Sequence, residues 1–183
     1  MALTLSMFAA ALVLCAFLYM GPSKQFALFT AGLILAGTLG IAAEIWGTTN
    51  GFWVYHDLPD GRHLPHWLPF AWGLAFAFIY VVERLTIRLL KLNSLGLKLA
   101  LAIFLAALLP TWGEMVAINA GVWSYTWPLQ IFGVPLLAIL LLIIFHTGVN
   151  TFLSVICRRL HITDPVFNDV NEALMDGRVT PML

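Results

Sequence analysis

Apolar residues in this chain gather into five long runs, at about 2–20, 26–46, 67–85, 99–119 and 132–156, separated by short polar or aromatic stretches. A helix needs roughly 20 apolar residues to cross a hydrocarbon core of about 30 Å. Each run has that length, so the pattern predicts an all-α integral membrane protein of five transmembrane helices. They form one domain over residues 1–157, followed by a polar tail over 158–183. Gly21-Pro22-Ser23-Lys24 breaks the first run from the second, and a basic stretch from Arg88 to Lys98 breaks the third from the fourth. The first run is uncharged, with neither a basic leading region nor a small-residue cleavage site, and reads as a retained helix rather than a signal peptide.

Composition agrees with this pattern. The chain is 61% hydrophobic and 10% charged, with a mean hydropathy of +0.93. That is too little charge to cover a soluble domain. Formal net charge is zero and no basic patch points to nucleic acid. With five spans, Lys24, Arg88, Lys91, Lys98, Arg158, Arg159 and Arg178 share one side and Arg62 stands on the other. The excess predicts a cytoplasmic C-terminus and an outside N-terminus in a plasma or inner membrane. The tail carries Asp164, Asp169, Glu172 and Asp176 and is expected on the membrane surface or in water. Cys15 and Cys157, each inside an apolar run, read as small buried residues rather than a disulfide or metal site.

The most informative motif occurs twice. Glu44, Gly51, Trp53 and Tyr55 fit E-x6-G-x-W-x-Y, and Glu114, Gly121, Trp123 and Tyr125 fit it again 70 residues later. Each copy then reaches a proline at the start of the next run, Pro69 and Pro135, the first after four extra residues. The expected arrangement is a parallel internal repeat of the second and third helices with the fourth and fifth, over about 26–85 and 99–156. Such repeats pack about an axis along the membrane normal, with the site often between them. Interface anchoring explains the Trp and Tyr residues equally well.

Anchoring does not explain the carboxylates. Each follows an apolar run near the outer end of its helix, where an ionisable group is costly and marks function by default. Glu44 and Glu114 are therefore the candidate catalytic pair, able to divide acid and base roles if the copies face each other. In the structural alternative, each glutamate accepts hydrogen bonds from its own aromatic loop, with Trp53, Tyr55, Trp123 and Tyr125 as donors. Asn119, beside the second loop, and His146, one turn from Asn150, are further candidate substrate contacts. Glu83-Arg84 reads as an interfacial pair, and Pro110 as a kink that opens space beside Glu114. His56, His63 and His66 form no convincing ligand set, so no metal or other cofactor is expected.

The stretch from Glu44 to Trp72 resembles the membrane-embedded carotenoid-biosynthesis proteins, which include carotenoid hydratases. The matching residues are Glu44, Thr49, Gly51, Phe52, Tyr55 and Pro69, and in the second copy Glu114, Gly121, Tyr125 and Gly133 to Leu136. More loosely, the architecture is similar to the small membrane lycopene and terpene cyclases. The resemblance implies acid-catalysed cyclisation or hydration of an apolar isoprenoid or carotenoid that enters from the bilayer. One glutamate would protonate a C=C bond, the other would serve as base or hold water, and Trp53, Tyr55, Trp123 and Tyr125 would line the cation. Two other classes stay open: a non-catalytic lipid-binding or assembly protein, and a small proton-coupled transporter. The apolar inner halves of the second and fourth runs favour a one-sided pocket over a transport path.

Overall fold

A computed structural model of the chain describes residues 23–58 and 62–167, with positions 11, 14, 15, 18 and 21 before them. The first predicted span, 2–20, and the tail beyond 167 lie outside the described residues. The described chain is mostly helical and holds four helices long and apolar enough to cross a membrane: α1 (Lys24–Thr49), α2 (Leu68–Leu89), α3 (Leu95–Asn119) and α4 (Leu136–Leu160). Four of the five predicted spans are recovered, each extended or shifted by a few residues. Ser23 and Ser94 accept hydrogen bonds from Phe26 N and Leu97 N and start α1 and α3. Pro69 lies in the first turn of α2, and Pro135 immediately precedes α4.

α1 and α3 end alike. Gly51 and Gly121 take left-handed φ values of 69° and 71°, which favour glycine. Phe52 N then reaches back to Gly47 O and Val122 N to Ala117 O, closing the last turn of each helix. This reversal feeds two short strands, β1 (Trp53–Tyr55) and β2 (Trp123–Tyr125). They pair antiparallel, Trp53 with Tyr125, Val54 with Ser124 and Tyr55 with Trp123. The sequence pattern marked these stretches as aromatic loops and did not reveal that they join into one ribbon. A second hairpin, β3 (Gln130–Ile131) with β4 (Val134–Pro135), leads into α4.

The core lies between α1, α2 and α4, around Phe29, Ala36, Phe76, Tyr80, Val149 and Leu153. α1 and α2 approach through glycine: a Cβ on Gly37 would stand 2.8 Å from Pro69 O, and one on Gly73 2.9 Å from Leu33 O. At the end of the bundle away from the ribbon, the start of the tail folds back. Ile162, Asp164 and Phe167 are buried, and Ser154 Oγ donates to Phe167 O at 2.7 Å. Asp164 thus leaves the watery position expected for it, because a cation awaits it inside. Arg84 Nη1 donates to Asp164 Oδ2 at 2.6 Å, Tyr80 OH donates to the same oxygen at 2.6 Å, and Arg84 Nη2 donates to Gln25 Oε1 at 2.5 Å. Cys157 is buried as expected, whereas Cys15 is exposed.

Candidate functional site

Alternation along each strand puts Trp53 and Tyr55 on one face of the ribbon and Val54 on the other. That face turns down onto the helix the chain has just left. Trp53 Nε1 and Tyr55 OH both donate to Glu44 Oε2, at 2.8 and 2.9 Å. Trp123 Nε1 and Tyr125 OH both donate to Glu114 Oε2, at 3.0 and 2.8 Å. The four rings interlock across the ribbon: Trp53 lies 5.7 Å from Tyr125 and Tyr55 5.5 Å from Trp123, each pair inclined at 63°. Trp67 and Trp127 extend this layer at its two ends. Burial pushes the Tyr55 and Tyr125 hydroxyls up from their ordinary range, and the neighbouring carboxylates add to it. Both phenols therefore stay protonated and act as donors.

The two carboxyls differ in their second oxygen. Trp72 Nε1, one turn into α2, donates to Glu44 Oε1 at 2.9 Å. Among the described residues no donor reaches Glu114 Oε1. Trp72 is the third residue after Pro69, and the third residue after Pro135 is Ala138, which has no group to donate. Glu44 is buried and Glu114 half-buried.

Two apolar cavities flank this pair. One, of about 440 Å³, lies between α2 and α3 under the ribbon, lined by Ala71, Ala75, Phe78, Pro110, Gly113, Ala117 and both glutamates. The other, of about 280 Å³, lies between α1 and α4, lined by Ala43, Trp46, Ala138, Leu141, Phe145 and again both glutamates. The larger falls within the usual range for ligand sites, about 300–1,000 Å³. Among the described residues neither lining includes Lys or Arg. Pro110 does border the space beside Glu114, as its place four residues ahead of that residue suggested.

Glu44, Glu114, Trp53, Tyr55, Trp123 and Tyr125 are thus brought together. Asn119 and His146 are not. Asn119 Nδ2 donates to Met115 O on its own helix and is exposed. His146 is buried deeper in the bundle, its Nε2 2.9 Å from Glu83 Oε1, while Asn150 Nδ2 donates to Glu83 Oε2 at 3.2 Å. Glu83 and Arg84 are both buried and point to different partners, His146 and Asp164, instead of forming one interfacial pair. Residue reading missed Trp72, Trp67 and Trp127. For Trp72 the signal was present: its offset from Pro69 places it one turn into α2, facing the end of α1. His56 bonds Ser124 and His66 bonds Arg62, and among the described residues no group of three His, Cys, Asp or Glu could hold a metal. Comparisons with protein-family models, curated proteins and solved structures gave no match to this chain.

Proposed function

We propose that the chain catalyses acid-driven cyclisation or hydration of an uncharged, carotenoid-like isoprenoid dissolved in the bilayer, with Glu114 as the acid. The observation that carries this reading is Glu114 Oε1, an oxygen without a donor among the described residues, on a carboxyl that lines both apolar cavities. Trp123 and Tyr125 fix the other oxygen, so Oε1 is the atom free to hand over a proton. The proton leaves Oε1, the π pair of a terminal C=C forms the new C–H bond, and the adjacent carbon becomes a tertiary cation. Trp53, Tyr55, Trp123 and Tyr125 border the larger cavity and supply π-electron density to that charge. In cyclisation a second C=C closes a C–C bond, and a neighbouring C–H returns its proton to Glu114. In hydration water bonds to the cation and loses its proton to Glu114. Either route restores the acid and needs no oxidant or reductant.

Glu44, with three donors on its two oxygens, is a positioning residue that holds the ribbon over the cavities. In the same reading the two motif copies form a parallel repeat about an axis that passes between Val54 and Ser124. The run at 2–20 is a fifth span outside that repeat, the ribbon lies at the outer membrane surface, and the tail is cytoplasmic. The non-catalytic lipid-binding alternative draws on the same apolar cavities and on the three donors that hold Glu44.

The test is expression in a host that accumulates lycopene, comparing extracted pigments for the parent chain, Glu114→Gln and Glu44→Gln at matched membrane insertion. A cyclised or hydroxylated product is expected, lowered by about 100-fold or more in Glu114→Gln. Measurable product should remain in Glu44→Gln, whose amide oxygen still accepts. An unchanged pigment profile from all three inserted proteins sinks the reading.

A further inference from the structure

We infer that the two cavities are arms of one channel that takes a single linear, uncharged hydrocarbon chain in extended form, with the carboxyl pair at the junction. This rests on the reading that the site takes an apolar chain, but not on the chemistry performed there. Six residues belong to both linings: Glu44, Trp53, Trp72, Glu114, Tyr125 and Leu142. The two spaces are therefore adjacent and share one wall, which carries both carboxyls.

Each arm exists because small side chains stand where large ones would close it. Ala75 of α2 and Ala117 of α3 both line the larger arm. Ala138 borders the smaller arm, at the offset from its proline that Trp72 holds in α2. A tryptophan there would occupy the arm with its ring. At about 280 Å³ the smaller arm falls below the usual size of an independent ligand site, about 300–1,000 Å³. Joined to the larger, it extends one path past Glu114 Oε1. With no Lys or Arg among the described residues of either lining, those residues offer no counter-charge to an anionic headgroup. That selects a chain without one over a phospholipid or a fatty acid.

The experiment uses the full chain in detergent with lycopene as probe, read by visible circular dichroism. An achiral polyene gains that signal when a fixed asymmetric site holds it. Ala138→Trp fills the smaller arm and Ala75→Trp the larger, and monodisperse elution with parental helix content verifies each fold. One channel predicts that either substitution alone reduces the signal to that of free lycopene, and that the double variant adds nothing. Two independent sites predict partial, additive losses, which would overturn the proposal. So would a full signal in either single variant, or no signal in the parent chain. Signal without turnover leaves the channel standing and rejects the acid chemistry, whereas turnover without signal rejects the channel alone.

Discussion

The two helix pairs, α1 with α2 and α3 with α4, carry the same glutamate and aromatic motif and handle it differently. In α2 half of the most apolar window is buried, 50%, against 22% in α3 and in α4. The first pair is drawn together by glycines. Gly37 and Gly73 let backbone meet side chain and carbonyl across the interface, Gly40 lies under Trp72, and Gly47 lies under Trp53. That close approach places Trp72 on Glu44 and completes its hydrogen bonding. In the second pair a Cβ on Gly113 would meet nothing within 4 Å, Ala138 replaces the third donor, and space opens beside Glu114. Tight packing converts one carboxyl into a structural acceptor, and loose packing leaves the other with an oxygen to spare.

The largest test of this contrast is on the glycines. Gly37→Ala should destabilise the protein by about 1–3 kcal/mol, because the new methyl meets backbone that cannot rotate away. Gly113→Ala should leave stability unchanged or raise it by up to about 1 kcal/mol, because open space and helix propensity both admit alanine there. Thermal unfolding in one detergent, followed by circular dichroism, compares the two. Equal losses would break the distinction between the helix pairs.

A smaller effect separates the carboxyls themselves. A hydrophobic carbodiimide should label Glu114 over Glu44 by about tenfold, the ratio that one hydrogen bond worth roughly 1.4 kcal/mol provides. Trp72→Phe removes the third donor from Glu44 and should bring its labelling up to that of Glu114, read by peptide mass spectrometry. Labelling of Glu44 that ignores the substitution would show that Trp72 does not protect it.

The smallest effect is alkaline and common to both halves. The Tyr55 and Tyr125 hydroxyls are raised by burial and then by the carboxylates. Above about pH 10, where exposed tyrosines lose their protons, the unfolded chain releases protons that the native chain keeps. The contribution of these two phenols to stability is therefore constant below that pH and falls as pH rises past it. Tyrosinate absorbance during alkaline titration should fall short of the full complement until the protein unfolds. Complete ionisation while helix content is intact would contradict the burial of these phenols.

Much of this architecture could be read before any coordinates. Apolar runs of membrane length fixed α1 to α4, because a chain in hydrocarbon must satisfy its backbone within each segment. Glu44 and Glu114 stood out for the complementary reason, a carboxyl being costly in such a run. Even their donors were legible, since a Trp and a Tyr two residues apart past a left-handed glycine return to the same face. Other features depend on partners distant in sequence. Arg84 meets Asp164 and Glu83 meets His146 through the packing of α2 against the end of the bundle and α4, which no local pattern encodes. His146 and Asn150 were correctly placed on one face, but only the packing of α4 on α2 turned that face to Glu83.

What the sequence determined by itself is therefore everything governed by period and solvent: the four described spans and the matched turns that carry Trp53, Tyr55, Trp123 and Tyr125 back to their own glutamates. What the tertiary structure decided is the inequality of those glutamates. The pairing of β1 with β2 and the glycine contact of α1 with α2 set which oxygens receive donors and where apolar space remains. A local motif specifies its own bonds, but the volume beside it is whatever the neighbouring helices fail to fill.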